Sequence, residues 1–354
     1  MADRESRREA EMKALVLEAY NRFVLRDVPD PVPGPGEVLV AVKACGICGS
    51  DVHGMDGSTG RRRPPIVMGH EAAGVVAALG PGVTGWATGD RVTFDSTVSC
   101  GGCWHCRRGE INLCDNRRVL GVSCEEYRRD GAFAGFVAVP ASILYRIPDG
   151  LAFEHAAMIE AVSIAVHAVR RASPALGASV AVVGAGMIGQ LVIQAARLSG
   201  CGLLVAVDPD PSRRGLAERS GADHALDPAA EDVPARVRGL TEGRGADEAF
   251  EVVGAADPFR TAVAAVRKGG VVTLVGNLAP GVELPLQAVV TRELSLLGSC
   301  ASRGEYPACI EMLARGRIDV RPLLSAVAPL AEGPAWFDRL HRREPGLMKV
   351  VLRP

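Results

Sequence analysis

The rhythm of apolar and polar positions changes along this chain. From residue 12 to about residue 145, apolar residues come in short runs at 12–17, 37–42, 74–79 and 90–94, divided by Pro33-Gly34-Pro35-Gly36 and Gly80-Pro81-Gly82. Short runs between turn residues predict strands, and together an irregular β-rich barrel or sandwich. Near Phe153 the period lengthens: residues 154–160 and 162–169 space their apolar side chains by three and four, the mark of a helix. Beyond it, strand-like runs at 179–183, 203–207, 223–226, 248–253, 270–275 and 294–297 alternate with helical stretches. That alternation predicts a doubly wound parallel sheet of about six strands. From Gly298 the chain reads as a strand edge, a helix over 307–315 and a closing strand over 347–352, which returns to complete the first region. The expected fold is α/β in two domains. Residues 1–157 and 298–354 form the β-rich one, and residues 158–297 form the Rossmann-type one.

Composition narrows the function. A chain of 354 residues can bury two cores, and a net charge of −1 leaves no electrostatic footprint for nucleic acid or an anionic membrane. No run of 18 apolar residues suggests a membrane span. Residues 1–11 are charged or small, lack the apolar middle of a signal peptide, and read as a disordered tail. The expected compartment is the cytoplasm, where ten cysteines stay reduced and clustered ones point to metal.

The chemistry gathers first between Cys48 and Glu71. The stretch Cys48-Gly49-Ser50-Asp51-Val52-His53 and the phrase Gly69-His70-Glu71 offer a thiolate, an imidazole and a carboxylate. These are ligands for a divalent zinc-like ion that keeps one position open. Ser50 and His53 could carry a proton away from a metal-bound substrate. Cys45 and Cys48 also form a Cys-x-x-Cys, which fits a redox pair or two ligands of one structural ion. Four further cysteines, Cys100, Cys103, Cys106 and Cys114, can close around one structural zinc. An iron–sulfur cluster is the weaker fit, because Asp115 and not proline follows the last cysteine. Arg61-Arg62-Arg63, between the two ligand phrases, reads either as a solvated run or as a greeting for an anionic substrate. Glu160, in an otherwise apolar helical stretch, is either an exposed helical acid or part of the site.

The second locus is Gly184-Ala185-Gly186-Met187-Ile188-Gly189, placed between a strand and a helix. The first glycine permits the turn, the second lets a pyrophosphate approach, the third lets helix meet strand, and the helix amides receive the phosphate. Asp208, nineteen residues after Gly189, ends the next strand, where a carboxylate accepts from ribose hydroxyls and repels a 2′-phosphate. NAD is expected over NADP, with Arg213 and Arg214 arguing the other way. Val253-Gly254 and Val275-Gly276 end later strands and are expected to flank the nicotinamide.

These motifs, in this order and spacing, resemble the zinc-dependent medium-chain alcohol dehydrogenases, and most closely their sorbitol (polyol) and threonine dehydrogenase branch. The resemblance implies a GroES-like catalytic domain and two zinc ions per chain. In it Cys48 and His70 are ligands of the catalytic ion, Glu71 is a ligand or its support, and Glu160 ligates directly or through water. It also implies Ser50 and His53 as the proton relay and Arg292 and Glu293 as residues lining the active-site cleft, and it demotes Cys45 to a neighbour. The implied reaction is NAD-dependent oxidation of a secondary alcohol of a polyol, sugar or sugar-derived compound by a homodimer or homotetramer. Alternatives are an NADPH-dependent alcohol or aldehyde reductase, a threonine 3-dehydrogenase-like enzyme, and a non-enzymatic NAD-binding protein with structural zinc alone. Two positions depart from the polyol enzymes, which usually carry proline where Ala161 stands and an aromatic residue where Gly54 stands.

Overall fold

A computed structural model describes residues 11–124 and 127–354. The tail expected over residues 1–11 lies outside the described residues except for Glu11, which already opens the strand Glu11–Ala19. The chain forms two compact units: the described residues up to Glu160 together with Leu324–Pro354, and Ala161–Leu323.

The first unit is built on the strand Glu37–Gly46, whose alternating burial sends Val38, Val40 and Val42 into the core. This strand pairs antiparallel with Phe136–Pro140, with Glu71–Leu79 and with the last strand of the chain, Lys349–Arg353. Among the described residues these belong to a seven-stranded sheet, with a smaller sheet of Glu11–Ala19, Arg22–Pro29 and Ile66–Val67 beside it. Register decides what meets at the strand ends. Gly46 pairs with Glu71 on one side and with Val351 on the other, so residues far apart in sequence share one end of the sheet. Leu15, Leu17, Met68, Phe94 and Phe133 fill the core beneath, each at most 1% exposed.

The second unit carries, among the described residues, a six-stranded parallel sheet in the order His224–Leu226, Leu203–Val207, Ser179–Val183, Ala246–Glu251, Val266–Leu274 and Ser295–Gly298. The order reverses between Ser179–Val183 and Ala246–Glu251, and sheets of this kind bind ligands at the carboxyl ends of strands at such a point. No helix among the described residues is long and apolar enough to cross a membrane.

The domain boundary read from the sequence needs correcting. The chain leaves the second unit after Leu323, not at residue 297, and enters it after Glu160. The reason is ionic and topological. Ser295–Gly298 pairs with Val266–Leu274, and Glu305, 1% exposed, has its cations on the helix Ile159–Ala172: His167 Nδ1 and Arg170 Nη1 each stand 3.0 Å from Glu305 Oε1. A buried carboxylate needs such partners, so the segment that carries it stays with them. A strand at Leu324–Pro329, which the apolar pattern did not reveal, begins the return to the first unit.

Candidate active site

In the first unit, Cys48 caps the single helical turn Gly49–Val52. Its Sγ accepts from the Ser50 amide at 3.5 Å, and the Asp51 carboxylate accepts from the Cys48 amide at 3.3 Å. His70 and Glu71 arrive at the start of the neighbouring strand, and a side chain at Gly46 would collide with the Glu71 carboxylate. The ligand atoms of Cys48, His70 and Glu71 lie within 4.8 Å of one another. One thiolate, one imidazole and one carboxylate that close together fit a zinc-type ion with an open position.

The surrounding shell holds buried ions in pairs. Lys349 Nζ donates to Glu71 Oε2 at 2.5 Å and to the Ile47 carbonyl at 3.1 Å, with both side chains at most 4% exposed. Burial alone would lower the Lys349 pKa, but the charges of Glu71 and Cys48 outweigh it and hold the ammonium protonated. Asp51, fully buried, accepts from Arg62 Nη2 at 2.8 Å and stands 3.3 Å from His70 Nδ1. Burial pushes its carboxyl up, yet His70 and Arg62 together hold it well below the usual range. Against its own desolvation, His70 is raised by Asp51 and Cys48. Ser50 Oγ lies 3.5 Å from His70 Nε2. His53 is half-buried one position past the helical turn, and burial together with the Arg343 charge lowers its pKa.

Glu160 stands outside the tight ligand cluster, but its carboxyl is pushed up to about 7, by burial first and then by the Glu71 carboxylate. Glu160 is half-buried in the fold and is not an exposed helical acid. Cys45, fully buried, is absent from the cluster, and its thiol is raised well above its ordinary value by burial and then by Asp51 and Glu71. The Cys45–Cys48 pair is therefore no two-thiol metal clip. The tripled arginines separate, since Arg61 and Arg63 are exposed while Arg62 is 2% exposed.

Cys100, Cys103, Cys106 and Cys114 converge by themselves, their sulfurs within 4.8 Å. The four thiols are unlike: amides of Gly102 and Cys103 bring Cys100 down to about 6, whereas burial and the neighbouring Cys103 and Cys114 push Cys106 up to about 12. His105 turns away to Glu110, Nδ1 to Oε2 2.9 Å, and takes no part in the four-thiol set.

In the second unit the glycine-rich turn follows the strand Ser179–Val183 and leads into the helix Met187–Leu198. Gly184 has φ +98°, and a side chain there would press on Val253 at 2.5 Å. A Cβ on Gly189 would collide with the Gly184 carbonyl, whereas one on Gly186 would meet only Arg213 Nη1, at 3.9 Å. The helix start at Gly186, Met187 and Ile188 has no side-chain cap, so its amides are available to an anion. Asp208 is 4% exposed; its Oδ2 accepts from the Ala185 amide at 2.8 Å and its Oδ1 from the Asp210 amide at 2.9 Å. Arg213 Nη1 stands 3.9 Å from Asp208 Oδ2. Val253-Gly254 and Val275-Gly276 come together at the same carboxyl edge, where Glu251 Oε1 accepts from the Val253 and Gly254 amides at 2.9 and 2.8 Å. Side chains at Gly254 and Gly276 would each strike the other's backbone.

Arg292 and Glu293 do not join this edge. They immediately precede the strand Ser295–Gly298, at the amino edge of the parallel sheet. There Arg292 donates to the carbonyls of Val263, at 2.9 Å, and Val266, and its own carbonyl accepts from the Gly269 amide at 2.7 Å. The expected role in the active-site cleft is corrected: Arg292 ties down the entry to the strand Val266–Leu274. Lys349 was missed. Its signal was a lysine inside the apolar run Met348 to Leu352, a position that must find a buried carboxylate.

Two family models match the chain, the alcohol dehydrogenase GroES-like domain over residues 34–149 and the zinc-binding dehydrogenase domain over residues 188–315. The chain is 32% identical to sorbitol dehydrogenase of Bacillus subtilis, covering 97% of each protein. It is 35% identical to L-idonate 5-dehydrogenase of Vitis vinifera, covering 83% of this chain and 81% of that one. A zinc-binding dehydrogenase of Sinorhizobium meliloti, solved with NADP bound, superposes with a TM-score of 0.90 at 34% identity over 98% of this chain and 100% of its own.

Proposed function

The chain belongs to the zinc-dependent medium-chain alcohol dehydrogenases, in their polyol branch, and is an oxidoreductase acting on CH–OH groups; from that premise we propose that it oxidises a secondary alcohol of a polyol, sugar or sugar-derived compound to the ketone. The observation that carries this reading is the convergence of Cys48, His70 and Glu71 within 4.8 Å of one another, with the Ser50 hydroxyl 3.5 Å from His70. The named activities of the sorbitol and L-idonate enzymes support the substrate class.

In this reading Cys48, His70 and Glu71 hold the catalytic ion, Glu160 approaches it directly or through water, and the four thiols of Cys100, Cys103, Cys106 and Cys114 hold a structural one. When bound, zinc would make the alcohol a stronger acid and the dinucleotide would take up the hydride. The protein's own task is the proton. Ser50 Oγ receives it, and His53, whose lowered pKa keeps the imidazole neutral and able to accept, passes it outward. Lys349 fixes Glu71 and Asp51 fixes His70 while this happens. The helix start at Gly186, Met187 and Ile188 receives the pyrophosphate, and Val253, Gly254, Val275 and Gly276 flank the nicotinamide.

Asp208 supports NAD. A specific observation favours NADP as a second reading: Arg213 is positioned beside both Gly186 and Asp208, where a guanidinium could receive a 2′-phosphate, and the Sinorhizobium structure carries NADP. Ser295–Gly298 is the outer strand of its sheet, and Leu286 and Val290 nearby in sequence are 62% and 64% exposed, which supports a homodimer or homotetramer. The four-thiol cluster, which needs reduced cysteines to hold an ion, supports a cytoplasmic setting.

The test is metal analysis joined to initial rates. Polyols, sugar acids, sugar phosphates and threonine are offered with NAD and with NADP, and reduced dinucleotide is followed by absorbance. Two zinc ions per chain and turnover of at least one polyol or sugar derivative are expected, with NAD preferred. One zinc per chain, or no alcohol oxidised with either dinucleotide, overturns the reading.

A further inference from the structure

Arg62 is 2% exposed in the middle of a loop whose neighbouring arginines lie in solvent. Its guanidinium touches two side chains that lie beside His70. Nη2 donates to Asp51 Oδ1 at 2.8 Å and to Ser50 Oγ at 3.4 Å. Both groups lie beside the imidazole, Asp51 Oδ1 3.3 Å from Nδ1 and Ser50 Oγ 3.5 Å from Nε2. Arg62 Nε is buried and makes no hydrogen bond, a cost that an apolar side chain of the same length would avoid. The fold has also cleared a path for it. A Cβ on Gly54 would stand 2.6 Å from Arg62 Cγ, 3.5 Å from its Nε and 2.9 Å from the Ser50 carbonyl, so a larger residue at position 54 displaces the arginine or the turn Gly49–Val52. Gly54 is the position at which polyol enzymes usually carry an aromatic ring. In this chain, a buried guanidinium stem occupies space beside that position.

We propose that Arg62 is a positioning residue of the catalytic metal site: by gripping Asp51 and Ser50 it fixes the orientation of His70 toward Cys48 and Glu71, and Gly54 is the gap that admits it. The proposal rests on the reading of Cys48, His70 and Glu71 as metal ligands. Groups that orient a ligating histidine typically change metal affinity by about 10–100-fold when removed. A buried arginine that secures the orienting carboxylate belongs to the same shell. Asp51 without Arg62 would be a buried carboxylate left with the Cys48 amide and the imidazole alone, its charge no longer matched by a guanidinium.

The test uses the full chain with cobalt in the catalytic site, where the visible bands report ligand geometry and competition with a chelator reports affinity. Arg62→Met is expected to lose the ion about tenfold or more readily and to shift the cobalt bands, Arg62→Lys to recover part of both, and the four-thiol ion to stay in each variant. Gly54→Ala, whose methyl presses on Arg62 and on the Ser50 carbonyl, is expected to reproduce the Arg62→Met loss, and the double variant to lose no more than either single one, which separates the route through Arg62 from one through the turn. Unchanged affinity and bands in Arg62→Met overturn the proposal, as do losses from the two single variants that add in the double one. If Arg62→Met does not fold, Arg62→Gln decides by the same two readouts. Wild-type protein that takes up no cobalt beyond the four-thiol ion sinks the metal-ligand reading itself, which is a different failure.

Discussion

The two units make binding sites from opposite materials. The first uses buried ionic side chains in matched pairs, Glu71 with Lys349 and Asp51 with Arg62, set around Cys48 and His70. The second uses backbone amides and missing side chains: an uncapped helix start, Gly189 against Gly184, and Gly254 against Gly276. The difference follows from what each must hold. A divalent cation needs charged donors in a fixed polyhedron, and such donors survive burial only if each is compensated. A pyrophosphate needs amide donors and close approach, which any Cβ would block.

Removing an ion-holding side chain should therefore abolish chemistry and spare dinucleotide binding. Cys48→Ala is expected to cut turnover by ~10³-fold or more, the several kcal/mol a Lewis acid supplies, while dinucleotide titration followed by fluorescence gives an unchanged Kd. Loss of dinucleotide affinity in this variant would break the division between the units. Lys349→Met comes next. It leaves Glu71 buried without its cation, so the first unit should lose about 3–5 kcal/mol of stability in denaturant unfolding, and a variant as stable as wild type would show that the pair carries no such weight. In the second unit the mirror change is to add atoms. Gly189→Ala puts a methyl into the Gly184 carbonyl, an overpacking of about 1–3 kcal/mol that should weaken dinucleotide binding by about 10–100-fold and leave metal content at its wild-type value.

The same contrast explains what could be read before the fold was known. The glycine turn was legible to the residue because its reasons are local: a strand before, a helix after, an acid nineteen positions on. Ligand types were legible at Cys48, His70 and the four-cysteine lobe for the same reason. The shell was not. Lys349 lies 278 positions from Glu71 and reaches it only through the register of the strand Lys349–Arg353, while Arg62 looked like any other member of a solvated run. The 298–323 segment was misplaced because its anchor, Glu305 on His167 and Arg170, is again an ion pair across distant sequence. Arg292 and Glu293 could have been set aside earlier. Residues that lead into a strand of a parallel sheet lie at its amino edge, and ligands bind at the other.

One side chain in the second unit breaks the pattern and gives the smallest of these effects. Glu248 is 7% exposed on the strand Ala246–Glu251, and where Glu71 is gripped by Lys349 it has the Asp247 carboxylate beside it: burial and then Asp247 push its carboxyl up to about 7, with Arg267 only partly opposing them. Its folded-state pKa thus lies above that of the unfolded chain. The stability linked to its protonated form is complete below the ordinary carboxylate range and lost as pH rises through about 7. Gln keeps the shape and cannot ionise. Glu248→Gln should therefore leave the Tm near wild type at pH 5 and raise it at pH 8, by roughly 2–4 °C for about 1 kcal/mol in a unit of this size. A difference in Tm that stays constant from pH 5 to pH 8 would mean that Glu248 keeps its charge in the fold. The second unit would then compensate its buried ions as the first one does.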